Sequence, residues 1–312
     1  MSHDSPACLQ RLESRLLLTA IYEIIDLGTL GGPSSTAAGL NASHQVVGQS
    51  LVDPSPARAR AFIWDPAAGM TALDLIEGYT LDQAAAVADD GTAVGTARNA
   101  AFDERAVMWG EAGPVDLGTL GGAWSRGADV NETGQIVGTS ALPEGGEPDA
   151  IETFHAFLWQ DGIMTDLGTL GGTRSQAKAI SDSGQVVGLS FPQDAPTFHA
   201  FSWQDGVMID LGTLGGPASS AHDVSVSGLV VGDADLDRLD REGFNQYHAA
   251  VWREGRVTDL GTLGGEFSSA LGINETGRIV GWSEMRRKDV LGQPVEHAFV
   301  YDHDGMRNLN DL

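Results

Sequence analysis

Asp166-Leu167-Gly168-Thr169-Leu170-Gly171-Gly172 decides the reading of this chain, because the same seven residues begin again at Asp26, Asp116, Asp210 and Asp259. Degenerate copies fill the gaps: Met70 to Leu75 after the first heptapeptide, and Met306 to Leu312 at the end. The Asp-equivalent positions 26, 72, 116, 166, 210, 259 and 308 lie 44 to 50 residues apart. Such a period is that of a four-stranded propeller blade.

Each period divides into four segments with strand character. Segment a runs Ser35 to Asn41, Ser125 to Asn131, Ser175 to Ser181, Ser219 to Ser225 and Ser268 to Asn274. Segment b is the Val-Val-Gly element, as in Gln45 to Gly48, Gln135 to Gly138 and Gln185 to Gly188. The links between them, such as Glu132-Thr133-Gly134, are hairpin chemistry, because Gly accepts a positive φ without strain. Segment c is His-Ala-Phe-aliphatic-Trp in His155 to Trp159 and His199 to Trp203, and looser in the other copies. Segment d ends in the heptapeptide. Segment c is apolar on both faces, with Phe157 and Trp159 on one and Ala156 and Leu158 on the other, which predicts burial on both sides between stacked blades.

Repetition assigns most conspicuous residues to architecture. The Trp at 64, 109, 159, 203 and 252 reads as packing between blades. The heptapeptide Asp occurs five times, whereas an active site occurs once, so it reads as a hydrogen-bonding residue for local turn or neighbouring-blade amides. His155, His199, His248 and His297 hold the same place in different blades and are not a metal cluster.

The heptapeptide joined to His-Ala-Phe-x-Trp and to Ile-Asn-x-x-Gly-x-Val-Val-Gly resembles the bacterial HAF-repeat family of extracellular repeat proteins. The likeness covers about residues 22 to 312 and implies secretion and a β-propeller-like architecture, without a catalytic motif to transfer. The second repeat departs most: Ala85 to Gly91 and Ala106 to Trp109 keep the pattern but lose its His, Asn and Asp. Leu12 to Ala20 is similar to the Leu-Glu-Pro-Arg-x-Leu-Leu leader of bacterial surface proteins, with Ser14 in the Pro position. A short amphipathic helix from Leu9 to Leu18 is the competing reading. The expected organisation is a leader-like segment over 1–20 and one propeller domain over 21–312, delivered to the cell surface or outside the cell.

Composition bounds the partners. The 312 residues carry 18 basic and 43 acidic side chains, a net charge of −25, and Lys178 and Lys288 are the only lysines. Nucleic acid and anionic membrane surfaces are disfavoured, since phosphate binding needs a basic footprint. Cys8 is the sole cysteine, so an internal disulfide and a cysteine-based zinc site are both excluded. No apolar run approaches the roughly 18 residues of a membrane span.

Six a–b pairs, six c–d pairs and one extra d segment, Tyr22 to Leu30, predict an all-β propeller of six four-stranded blades, a monomeric ring. The orphan strand is then expected to pair with the last blade and remove open edges. A truncated seven-blade ring, in which the orphan strand awaits an a–b–c set, is the alternative.

Strand alternation places the short a–b and c–d turns on one face and the variable b–c and d–a loops on the other, and loops varying on one face of a repeat array mark a binding face. Trp124, Arg174 and Phe267 break the pattern in the d–a loops and suit stacking on a glycan or anchoring a protein loop. On the inner strands Asp129, Lys178, His222 and Asp223 are unique polar residues at small, apolar repeat positions. Asp233, Asp235, Asp237 and Asp240 alternate like the start of a Ca2+ loop, but Arg238 stands where Gly makes the turn and Phe244 where a Glu closes the shell, so a solvated acidic loop competes. Three functions follow: a non-catalytic binder of a glycan, protein or surface component; a hydrolase or lyase working at the axial opening; or a structural spacer.

Overall fold

The computed structural model describes residues 25–53, 58–143, 153–240, 242–288 and 292–311. The leader-like segment over 1–20 lies outside them. Strands follow one another in consecutive antiparallel meanders of four. The first set is β1 (Ser35–Leu40), β2 (Val46–Leu51), β3 (Ala59–Asp65) and β4 (Gly69–Ala72); the second is β5 (Leu81–Val87), β6 (Ala93–Arg98), β7 (Glu104–Gly110) and β8 (Gly113–Asp116). The third is β9 (Ser125–Val130), β10 (Ile136–Ala141), β11 (Phe154–Gln160) and β12 (Ile163–Asp166), and the fourth β13 (Gly171–Ile180), β14 (Val186–Pro192), β15 (His199–Gln204) and β16 (Val207–Asp210). The fifth is β17 (Gly215–Val224), β18 (Val230–Leu239), β19 (Asn245–Arg253) and β20 (Arg256–Asp259), and the sixth β21 (Gly264–Ile273), β22 (Ile279–Lys288), β23 (Pro294–Asp302) and β24 (Gly305–Asn308).

The molecule is an all-β propeller, but hydrogen bonding does not delimit six or seven equal blades. Four sets form separate four-stranded blades, whereas β9 to β16 belong to one eight-stranded sheet. The link is local: Arg174 of β13 lies beside Phe154 at the start of β11 in a single parallel pair. No helix of the described residues is long and apolar enough to cross a membrane.

Two sequence features set the geometry of every set. The Gly of Val-Val-Gly sits where the strand-a carbonyl crosses, so a Cβ at Gly188 would overlap the Gln176 oxygen. Each first strand also carries a one-residue bulge, at Ala38, Ala85, Ala128, Lys178, His222 and Leu271. A bulge re-aims the extra residue out of the alternating pattern.

The core lies between sets. In strand b the first apolar residue faces the preceding set and the second the following one: Val186 packs with Val137, Ala156 and Phe201, while Val187 packs with Val230 and Trp252. Five such clusters join successive sets. Trp109, Trp159, Trp203 and Trp252 all pack in them, as the repeat logic requires, but Trp64 joins none. Each fully buried Phe contributes about 1.5–3 kcal/mol of apolar burial.

Polar ties reinforce the same seams. The fully buried Ser175 accepts the Ala156 amide of the preceding set at 2.9 Å and donates to the Gly168 carbonyl at 2.5 Å. Ser125, Ser219 and Ser268 repeat this bridge. In the second set Asp82 takes over, accepting the Ala61 amide at 2.6 Å. The heptapeptide Asp accepts the amide two residues on, as at Asp166 and Gly168, and also takes a His: His155 with Asp166, His199 with Asp210 and His248 with Asp259, at 2.7–2.8 Å. That pairing is what three of the four repeated His do, while His297 meets Asn308 at 2.8 Å.

The orphan segment, expected to close the ring, falls only partly among the described residues. Its residues before Ile25 lie outside the described ones, and from Ile25 to Leu30 it forms no strand. Leu30 donates to Ser50 Oγ and Gly28 accepts from Ser35, the same bonds that the heptapeptides at Asp116, Asp166 and Asp259 make to the set that follows them.

Candidate functional site

Residues singled out by their irregularity fall at two ends of the propeller. Asp129, Lys178, His222 and Asp223 all line one cavity of about 230 Å³, together with small residues of β1 and β5 such as Ala38 and Ala85. Lys178 and His222 reach it because each is the bulged residue of its strand. Five inner strands thus converge here, with an apolar half from the first two sets and the polar residues from the third, fourth and fifth.

The four polar residues have different tasks. Asp129 accepts the Val130 amide and, across the seam, the Ile180 amide at 2.9 Å, and burial pushes its carboxyl up to about 7 despite those bonds. Asp223 does the same with Val224 and with Ile273 of the sixth set, and burial raises it too. Both are ties between inner strands. Lys178 and His222 differ. Burial lowers the Lys178 pKa, the nearby Asp233 charge opposes that, and Nζ donates to Ser220 Oγ at 2.8 Å. His222 Nε2 lies 3.0 Å from Asp233 Oδ1, which also accepts from Ser269 Oγ at 2.9 Å. A polar array with one half-buried lysine therefore reaches from the fourth set to the sixth.

At the opposite end, where strands a start and strands b end, Trp124, Arg174 and Phe267 belong to aromatic clusters. Trp124 and Phe154 stand 5.8 Å apart between ring centroids, with Arg126 4.9 Å over the Trp124 ring and Arg174 5.5 Å over the Phe154 ring. Phe191 and Phe198 form an edge-on pair at 5.9 Å. Tyr247 meets Phe267 at 4.9 Å and Trp282 at 6.2 Å. Burial, then the charges of Asp233, Glu284, Glu296 and Asp235, raise the Tyr247 pKa, so its hydroxyl stays protonated. All of these aromatic rings are half-buried. Desolvated Trp, Tyr and Arg of this kind carry most of the energy of protein interfaces.

The sequence named three residues of this belt and missed the rest. A signal existed: Phe154, Phe198 and Tyr247 each stand one residue before the repeated His. Discounting everything that recurs discarded them. Likewise two of the variable b–c segments, 234–247 and 284–296, are largely strand, since β18 and β22 run on to Leu239 and Lys288.

That extension also carries two of the Asp residues of the Ca2+ reading. Asp233 and Asp235 ride on β18 and are engaged by His222 and Ser269 and by Asn245, while Asp240 caps a tight turn by accepting the Glu242 and Phe244 amides. Asp237 is exposed and joins none of these. The four carboxylates do not gather. Among the described residues the one group of metal-type side chains within ligand reach is Asp302, His303 and Asp304. There Arg307 already neutralises Asp302 at 2.6 Å.

No family model and no curated protein matches the chain. Among solved structures it is similar to the β-propeller domain of the trilobed protease from Pyrococcus furiosus, described as having an open velcro topology: TM-score 0.58, 11% identity, covering 88% of this chain and 83% of that one. It is also similar to the Pyrococcus horikoshii acylaminoacyl peptidase, with TM-score 0.51 and 12% identity, over 88% of this chain. The chain spans 44% of that peptidase's length. At such identities the likeness is one of fold.

Proposed function

We propose that this chain is a non-catalytic binding propeller of the cell exterior that takes a glycan or protein ligand on its variable-loop face. The observation that carries the reading is the belt of half-buried aromatic rings, flanked by Arg126 and Arg174, gathered at one end of a protein of net charge −25. We count β9–β16 as two blades, because one parallel pair joins two otherwise complete meanders; this chain then contributes six. The repeat pattern and the leader-like Leu12 to Ala20 support membership of the HAF-repeat type and surface delivery.

The test is a glycan array and a protein-capture screen on the exported chain, repeated with Trp124→Ala, Arg174→Ala and Phe267→Ala combined. Binding reduced by about 30-fold or more, with the melting temperature kept, is the expected result for a hot-spot belt. An enzyme at the axis, a hydrolase or lyase, is the second reading, favoured by the half-buried Lys178 with Nζ 2.8 Å from Ser220 Oγ. Turnover of chromogenic esters or glycosides that is abolished by His222→Ala or Lys178→Met would replace the first reading with this one.

A further inference from the structure

The second set, whose sequence departs most from the repeat, also departs in what fills its variable-loop end. At that end a residue near the close of strand b stands opposite the one before the repeated His of strand c. In the third set the pair is Ala141 and Phe154, in the fifth Asp235 and Tyr247, and each ring packs on a neighbour, Trp124 or Phe267. In the fourth set Phe191 and Phe198 meet edge-on. The second set places Arg98 opposite Glu104 instead. No aromatic ring lines the space, and a cavity of about 170 Å³ remains.

Its walls are polar, and several of their groups are unspent. Glu104 joins two guanidinium groups, with Arg98 Nε at 3.6 Å and Arg126 Nε hydrogen-bonded to it. Asp82, 2% exposed, stands where the third to sixth sets bury a Ser. Its Oδ1 accepts the Ala61 amide, but Oδ2 has no hydrogen-bond partner among the described residues. The Ser of the other sets makes the same seam bond without an unpaired oxygen, so this carboxyl costs stability that the architecture does not require. The Gln83 amide and the Thr96 hydroxyl, which also line the cavity, make no side-chain hydrogen bond among the described residues.

Charge narrows the ligand. Arg60, Arg98 and Arg126 each lie within 3.6 Å of Asp82 or Glu104, so the cations are already neutralised in place. What the lining still offers is donors and acceptors side by side. Hydroxyl groups, each donor and acceptor at once, match such a lining, and Leu81 supplies an apolar contact for the C–H face of a ring. We propose that this cavity of the second set is a subsite for one neutral sugar ring, held by Gln83, Thr96 and Glu104, with the Arg126–Trp124 pair at its rim. The assignment rests on the binding role proposed for the variable-loop face and narrows its ligand to an uncharged carbohydrate. A carboxyl at the floor is a stronger acceptor for a sugar hydroxyl than the Ser of the other sets.

The experiment titrates the full chain with the methyl glycosides of glucose, galactose and mannose, and with methyl glucuronide as the charged counterpart, read by saturation-transfer NMR. Saturable binding of at least one neutral glycoside is expected, weakened at least about tenfold in Gln83→Ala combined with Thr96→Val. Glu104→Phe, which restores the ring of the third and fourth sets, is expected to abolish binding and to keep the melting temperature. If Glu104→Phe does not fold, the Gln83→Ala, Thr96→Val chain decides alone. Unchanged binding in the folded variants overturns the proposal, as does binding of the glucuronide only. The combined Trp124→Ala, Arg174→Ala and Phe267→Ala chain separates this site from the wider reading. A glycoside lost there but held by the cavity variants sinks the subsite and leaves the variable-loop face standing. If no glycoside binds the wild-type chain, the subsite fails and the face rests on protein capture.

Discussion

Replacing Ser175 with Ala removes a hydroxyl that ties the backbone of the third strand set to that of the fourth. Its oxygen accepts from the Ala156 amide of the third set and donates to the Gly168 carbonyl, and neither Ser175 nor Ala156 reaches solvent. Leaving a buried amide without an acceptor costs about 1–3 kcal/mol, and the second lost bond adds roughly 1, so a loss of about 2–4 kcal/mol is expected. For a domain of this size that lowers the melting temperature by roughly 5–10 °C. Ser35 supplies the internal control. It donates to the Gly28 carbonyl at 2.7 Å, but no preceding set presents an amide to it, and it is half-buried. Ser35→Ala is expected to cost only about 0.5–1.5 kcal/mol. Urea unfolding of both variants, with hydrogen exchange at the Ala156 amide, measures the difference. Equal midpoints for the two variants, or unchanged Ala156 exchange in Ser175→Ala, would refute the idea that these serines lock one set to the next.

Three further outcomes follow from the same seams. Asp82 replaces the Ser in the second set, and burial raises its carboxyl to about 6, with Oδ2 left without a partner. Because the folded state then holds its proton more tightly than the unfolded chain, Asp82 is expected to cost stability progressively as pH rises from about 4 to 6. Asp82→Ser should raise the urea midpoint more at pH 7.5 than at pH 4.5, and an equal gain at both would contradict this. Asp129, pushed up to about 7, has the same sign over a wider window, so Asp129→Asn should flatten the wild-type decline between pH 4 and 7 in parallel urea titrations. Gly188→Ala drives a Cβ into the Gln176 carbonyl, and a loss of more than about 3 kcal/mol, or no soluble product on expression, is expected; a variant unfolding at the wild-type midpoint would show that the strands can part there.

The sequence by itself determined the repeat, the four strands of each period and the architectural status of the Trp, because strand alternation and turn chemistry act over a few residues and recur whenever the residues recur. It also marked Asp129, Lys178, His222 and Asp223 as irregular. Their meeting at one cavity, and their division into two inter-strand ties and two bulged residues that face it, depended on strands up to 94 residues apart converging on an axis. The His–Asp pairing escaped because His155 and Asp166 become neighbours only through the register of β11 on β12. The exposure of Leu40 and Val280 is the clearest case. Nothing distinguishes them from Val130 and Val137 in composition or spacing; only the arrangement of whole sheets decides which apolar faces meet a neighbour and which are left to water.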